Sequence, residues 1–140
     1  MAVAGESWGR YPTARHEILP LVDARHALPD FHGTALPYGN GRSYGDSCQN
    51  PDGTLLHVRG LDRFIAFDRA TGVLRCEAGV TIAEILDLVV PQGWFVAVTP
   101  GTRFVTVGGA IANDVHGKNH HRAGNFSHHV SRLELLRSDG

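Results

Sequence analysis

Short apolar runs bounded by turn residues dominate the first half of the chain, and at Thr81 the spacing switches to that of a helix. Residues 1–12 show no regular pattern and read as an irregular lead-in, so the domain is expected to begin at residue 13 and run to 140. Ile18, Leu19, Val22 and Ala27 predict a short helix over residues 13–27, broken around Pro20. Residues 33–37 predict a short strand before a glycine-rich stretch over 38–46, and residues 54–58 a strand of β-type side chains. Residues 64–68 and 73–77 form the arms of a predicted hairpin, with Arg69-Ala70-Thr71-Gly72 as its turn. Thr81 and Glu84 make a capping box, Ile82, Ile85, Leu86, Leu88 and Val89 follow at helical spacing, and Pro91 with Gly93 ends the helix. Residues 94–98 predict an apolar strand, and Thr106 caps a brief helix through Gly108-Gly109-Ala110-Ile111-Ala112. Residues 130–136 alternate as a strand and meet Ser138-Asp139-Gly140, a hairpin turn with no second strand after it. The chain is therefore expected to be the first part of a longer architecture, because an unpaired edge at its own turn is a liability.

The bulk composition narrows the function. A chain of 140 residues, 42% hydrophobic and 19% charged, is long enough and apolar enough for one domain with a real core. A net charge of −1 offers no basic field for nucleic acid or an anionic membrane. No apolar run approaches a membrane-spanning length, and no basic-then-apolar leader precedes the domain, so a cytoplasmic location is expected. Cys48 and Cys76 cannot build a disulfide framework and read as reduced thiols. The 17 glycines exceed the roughly ten that ordinary usage of ~7% implies. They either punctuate turns or let backbone approach a ligand closely.

Three segments carry the chemistry. In Pro37-Tyr38-Gly39-Asn40-Gly41-Arg42-Ser43-Tyr44-Gly45-Asp46, clustered glycines allow successive N–H groups to point one way, a nest suited to phosphate. Arg42 adds a forked donor and Ser43 a hydroxyl. The glycine spacing is not that of a Rossmann fingerprint, and a flexible surface loop fits the composition equally well. The second segment, T-P-G-T-R-F-V-T-V-G-G-A-I-A-N-D from Thr99 to Asp114, presents a small-residue surface at a helix start. A flat ligand can lie there, with N–H groups free for a phosphate or ring carbonyl; close helix-on-sheet packing is the alternative. The third, D-V-H-G-K-N-H-H from Asp114 to His121, fails the P-loop pattern, because Ala112 and Asn119 stand where Gly and Ser or Thr are needed. It is also a weak zinc signal, lacking a cysteine or carboxylate at ligand spacing. No G-x-S-x-G elbow supplies a nucleophile. What remains is a polar strip presented to a ligand, or ordinary surface histidines.

Taken together, P-Y-G-N-G-R-S-Y-G-D and P-G-T-R-F-V-T-V-G-G-A-I-A-N-D-V-H-G-K-N-H-H resemble the flavin-binding half of the vanillyl-alcohol-oxidase (PCMH-type) FAD superfamily. Within it the chain most resembles the oxidases of decaprenylphosphoryl-β-D-ribose, flavin subunits of an epimerase that makes arabinose donors for mycobacterial cell walls; sugar-lactone oxidases are more distant. The resemblance implies an α+β fold, a PCMH-type FAD-binding domain of two small α/β subdomains with the cofactor between them, here incomplete at its C-terminal end. It implies that Pro37, Tyr38, Gly39, Asn40, Gly41, Arg42, Ser43, Tyr44, Gly45, Asp46 and Ser47 surround the pyrophosphate. Gly101, Thr106, Val107, Gly108 and Gly109 would line the diphosphate and ribityl region, and Asn113, Asp114, Val115, His116 and Gly117 the isoalloxazine. His116 and Lys118 would sit near flavin and substrate as the catalytic pair, and no metal is implied. Several relatives tether FAD through a histidine in the first glycine loop; Tyr44 stands in that place here, which implies non-covalent FAD. A sugar or polyprenyl-phosphosugar substrate and a partner short-chain reductase are further expectations. The competing readings are a non-catalytic FAD-binding module or truncated fragment and, as a minor option, a histidine-rich metal binder.

Overall fold

The computed structural model describes residues 5–25 and 27–137, and these divide into two compact units, the described residues up to 61 together with 135–137, and residues 62–134. In the first unit β1 (Glu17–Pro20), β2 (Ala35–Tyr38) and β3 (Thr54–His57) form a parallel sheet in the order β1-β3-β2. Glu17 and Ala35 both stand opposite Thr54, so β3 is the central strand. Its Thr54, Leu55 and Leu56 are buried, as a strand covered on both faces requires. Leu55 packs with Tyr38 and Cys48 in a small core. Parallel strands need a crossover between them. Among the described residues neither crossover contains an α-helix, and the one from β2 to β3 is the glycine-rich loop itself.

The helix expected over residues 13–27 is instead β1. Its apolar spacing was a weak helical signal, and pairing with β3 outweighs it. Pro20, which has no N–H to donate, is tolerated because it ends an edge strand. Residues 5–12 carry no helix or strand, yet they bond to the loop: Tyr38 Oη donates to Glu6 O at 2.7 Å, Trp8 N to Ser43 O at 3.0 Å, and Gln49 Nε2 to Pro12 O.

The second unit follows the sequence pattern more closely. β4 (Phe64–Phe67) and β5 (Leu74–Cys76) pair antiparallel, and Gly72 in their turn has φ +74° and a Cβ position occupied by the Trp94 ring. The capping box at α1 (Ile82–Val89) is complete: Glu84 N donates to Thr81 Oγ1 at 3.2 Å, and Thr81 N to Glu84 Oε2 at 2.7 Å. A 3₁₀ turn over Val90–Gln92 closes on Gly93 at φ +82°. Ile82, Ile85 and Val89 of α1 join Val80 in the core of this unit. Two short helices follow, α2 (Val107–Ala112) and α3 (His120–Ala123), then a 3₁₀ turn over Phe126–His129.

Two expected strands are absent. Residues 94–98 join no ladder: Trp94 Nε1 donates to Arg69 O at 3.0 Å and Val98 is buried, so the segment is held by side chains rather than by pairing. Residues 130–136 join no strand pair among the described residues, and the expected alternation is not seen in their burial, because residues 131–136 are all exposed, Leu133, Leu135 and Leu136 among them. The hairpin turn expected at Ser138-Asp139-Gly140 lies outside the described residues, as do Met1 to Ala4 of the lead-in and His26 of the expected first helix. No helix among the described residues is long and apolar enough to cross a membrane.

Candidate functional site

In the first unit the loop after β2 leaves the carboxyl end of a parallel strand, the end at which open α/β sheets bind ligands. Gly41, at φ +61°, is buried against Glu6 O and Tyr38 Oη, so a side chain there would collide with both. Gly45 is also left-handed, at φ +57°, but its Cβ position is open. The backbone N–H groups of Gly41, Arg42, Tyr44 and Gly45 have no backbone acceptor among the described residues. Arg42 Nη1 donates to Asn40 O at 2.7 Å and the guanidinium lies 5.4 Å from the centre of the Trp8 ring, while its Nε is buried without a partner. Unpaired N–H groups beside an unsatisfied guanidinium N–H are the donor set a diphosphate requires.

Not every predicted loop residue presents its side chain. Tyr38 is only 2% exposed, and burial, with Cys48 nearby, pushes its phenol above the ordinary value. It is a core residue, and only its backbone belongs to the loop. Pro37 is exposed within β2, Asn40 and Ser43 are half-buried, and Tyr44, Asp46 and Ser47 are exposed.

In the second unit the small-residue helix start is docked on the protein itself. Val107 N donates to Val80 O at 2.7 Å, Gly108 N to Ala78 O at 2.8 Å, and Gly109 N to Thr106 Oγ1 at 3.2 Å. The N–H groups expected to receive a phosphate or ring carbonyl are therefore spent. A Cβ on Gly108 would stand 3.1 Å from Ala78 Cβ, so this glycine permits close packing. A Cβ on Gly109 would meet only Thr106 Oγ1, leaving that surface smooth.

The histidine-rich strip forms one wall of a groove of about 810 Å³, lined by Thr99, Pro100, Gly101, His116, Gly117, Lys118, Asn119 and His120. Gly117 is buried where a Cβ would stand 2.7 Å from Thr99 O and 2.9 Å from Asn119 Oδ1. His116 forms a β-bridge with Asn125, and His116 and Lys118 are both exposed. Asp114 has φ +42°, and its carboxylate accepts from Ser127 N at 2.9 Å and Asn125 Nδ2 at 3.0 Å. Those bonds, the Ser127 N–H first, hold its acid below the ordinary range. Asp114 is thus a clamp on the strip, while Asn113 Nδ2 donates to Gly109 O at the end of α2 and Val115 N to Ala110 O. The groove brings together Gly101, His116, Gly117 and Lys118 among the predicted residues. It also includes His120, a histidine of the strip expected either at the surface or in support of the site. The His120 ring lies 5.3 Å from that of His116, and its Nδ1 is 3.2 Å from Gly117 O. In the sequence this pair of histidines stood out only as part of a weak zinc signal.

A family model described as an FAD binding domain matches residues 21–140. This chain belongs to that family. The decaprenylphosphoryl-β-D-ribose oxidase of Mycolicibacterium smegmatis is 47% identical over 141 residues, covering 95% of this chain and 30% of that protein. A probable mitochondrial D-2-hydroxyglutarate dehydrogenase of Oryza sativa is 29% identical over 103 residues, covering 73% of this chain and 18% of the relative. The chain thus spans under a third of the length of these curated relatives. Among solved structures, alkyldihydroxyacetonephosphate synthase matches with a TM-score of 0.66 at 17% identity, covering 76% of this chain and 22% of that one, a likeness of fold. The PCMH-type resemblance and the α+β fold are borne out, and FAD is the cofactor of the family. The donor set of the glycine loop fits that cofactor's diphosphate.

Proposed function

We propose that this chain is the FAD-binding portion of an oxidoreductase acting on a sugar alcohol carbon, of the decaprenylphosphoryl-β-D-ribose oxidase type. The observation that supports this most is 47% identity to an oxidase of that name across 95% of the chain. Bound here, FAD would supply the acceptor for hydride leaving the substrate carbon. Residues 39–47 hold the pyrophosphate, through backbone N–H groups and the Arg42 guanidinium. Gly101 and residues 106–109 line the diphosphate and ribityl part, by surface contact rather than by N–H donation. Residues 113–117 run along the isoalloxazine. His116 and Lys118 face the reacting end, where the Lys118 ammonium offsets developing negative charge. Tyr44 offers no imidazole for a tether, so the cofactor is held non-covalently. The substrate is a sugar or polyprenyl-phosphosugar, a short-chain reductase takes the oxidised product, and the compartment is a reducing cytoplasm.

Purified protein should be yellow and release flavin on acid denaturation. A colourless protein that takes up no added FAD overturns the reading. Bleaching of bound flavin by a polyprenyl-phosphoribose would establish hydride transfer from that substrate, while bound flavin that no sugar bleaches would indicate a binding module. Lys118→Met should keep flavin occupancy and slow bleaching by roughly 10². Unchanged bleaching would remove Lys118 from the reacting end.

A further inference from the structure

We infer that residues 5–12 are a working part of the nucleotide loop, and that Trp8 is a positioning residue that holds Arg42 for the phosphates of the cofactor. The inference rests on the FAD reading above. It starts from a charge without a counter-charge: among the described residues Arg42 makes no ion pair, and the nearby Glu6 carboxylate is 3.7 Å from Arg10. A half-buried guanidinium with an unsatisfied Nε is costly unless an external anion completes it. A long flexible side chain must also be held in place before it can bind well, because ordering it on binding subtracts from affinity.

Two restraints do this here. Arg42 Nη1 is tied to Asn40 O at 2.7 Å, and the Trp8 indole lies 5.4 Å from the guanidinium carbon. The Trp8 backbone is itself held, because its amide N–H donates to the carbonyl oxygen of Ser43, the residue next to Arg42. The strap is anchored on either side of Trp8, at Glu6 by the buried Tyr38 hydroxyl and at Pro12 by the Gln49 amide. Gly41 is the residue that lets the strap pass so close, since any Cβ there would meet Glu6 O. Trp8 is nonetheless 53% exposed, so hydrophobic burial alone does not account for an aromatic residue at this place. Its contact with Arg42 does.

The test is a double-mutant cycle on the full chain, with FAD and, separately, ADP as probes, melting temperature being recorded for every variant. Trp8→Leu should weaken both ligands roughly three- to tenfold. In an Arg42→Ala background the same substitution should change nothing further, because Trp8 then has no cation to hold. Trp8→Phe should retain most of the affinity. Trp8→Leu binding like the parent, or an equal loss with and without Arg42, overturns the inference; the second result would mean the indole only supports the fold. Should Trp8→Leu fail to fold, Trp8→Phe and Trp8→His replace it, with affinity expected to fall in the order Trp, Phe, His; equal affinities refute a positioning role. Loss of FAD in Arg42→Ala with no effect at Trp8 sinks this inference and leaves the FAD reading standing. A parent chain that binds neither FAD nor ADP sinks both.

Discussion

Replacing Gly41 by alanine tests the contact on which the nucleotide loop is built. Gly41 combines a left-handed backbone, φ +61°, with a Cβ position occupied by Glu6 O and Tyr38 Oη. The left-handed conformation costs an L-residue ~1–2 kcal/mol. Pushing Tyr38 aside breaks its 2.7 Å bond to Glu6 O, a loss of ~1 kcal/mol, and crowding against rigid backbone adds ~1–3 kcal/mol. The expected total is roughly 3–6 kcal/mol, a large fraction of the stability of a small domain. Gly45→Ala is the matched control: φ is +57° and nothing lies within 4 Å of its Cβ, so only the backbone cost of ~1–2 kcal/mol applies. Urea unfolding of flavin-free protein, followed by Trp8 emission in a Trp94→Phe background, should separate the two variants by at least ~2 kcal/mol. Equal losses, within ~0.5 kcal/mol, would show that residues 5–12 do not bear on Gly41 and that only its φ matters.

Other predictions concern the second unit and the thiols. Because the folded pKa of Asp114 is depressed, its clamp on Ser127 and Asn125 is fully present above the ordinary aspartate value of ~4 and is lost as pH falls from there through the folded value. Amide-exchange protection at Ser127 should decline over that acid window in the parent and be low throughout in Asp114→Ala; a parent with flat protection refutes the clamp. Thr106→Ala should cost about 1 kcal/mol through loss of the Gly109 cap, with Thr106→Ser restoring most of it; thermal melts of the three proteins decide. Burial pushes the Cys76 thiol up to about 11 and raises Cys48 as well, so a thiol reagent at pH ~8 should label neither until the chain unfolds. Rapid labelling of the native protein would contradict the burial of Cys48 and the partial burial of Cys76.

The elements that were legible in the sequence are those whose decisive bonds are local. The capping box at Thr81 and Glu84 spans three residues, and the turn before Val73 depends on Gly72 adopting φ +74°. β1 was read as a helix because its partner, β3, lies far along the chain, and no local signal records that pairing. The strand expected at residues 94–98 failed for a related reason: apolar character shows that a segment is covered, not whether a ladder or a side-chain contact covers it.

The candidate site divides in the same way. Residue types alone singled out the glycine loop with Arg42 and the histidine-rich strip, because backbone freedom and donor chemistry belong to individual residues, whereas the choice of His116 and Lys118 within that strip came from the family resemblance. Other features required the tertiary structure. Gly108 and Val107 give their N–H groups to Ala78 and Val80 instead of a ligand, Asp114 spends its carboxylate on Ser127 and Asn125, and His120 comes to lie beside His116. Trp8 and Glu6 reach the loop from more than thirty positions away. What the sequence by itself determined was which backbones can bend and which side chains can donate. Only the folded chain decided which of those donors remain unpaired for a ligand, since each can be claimed by an acceptor anywhere along the chain.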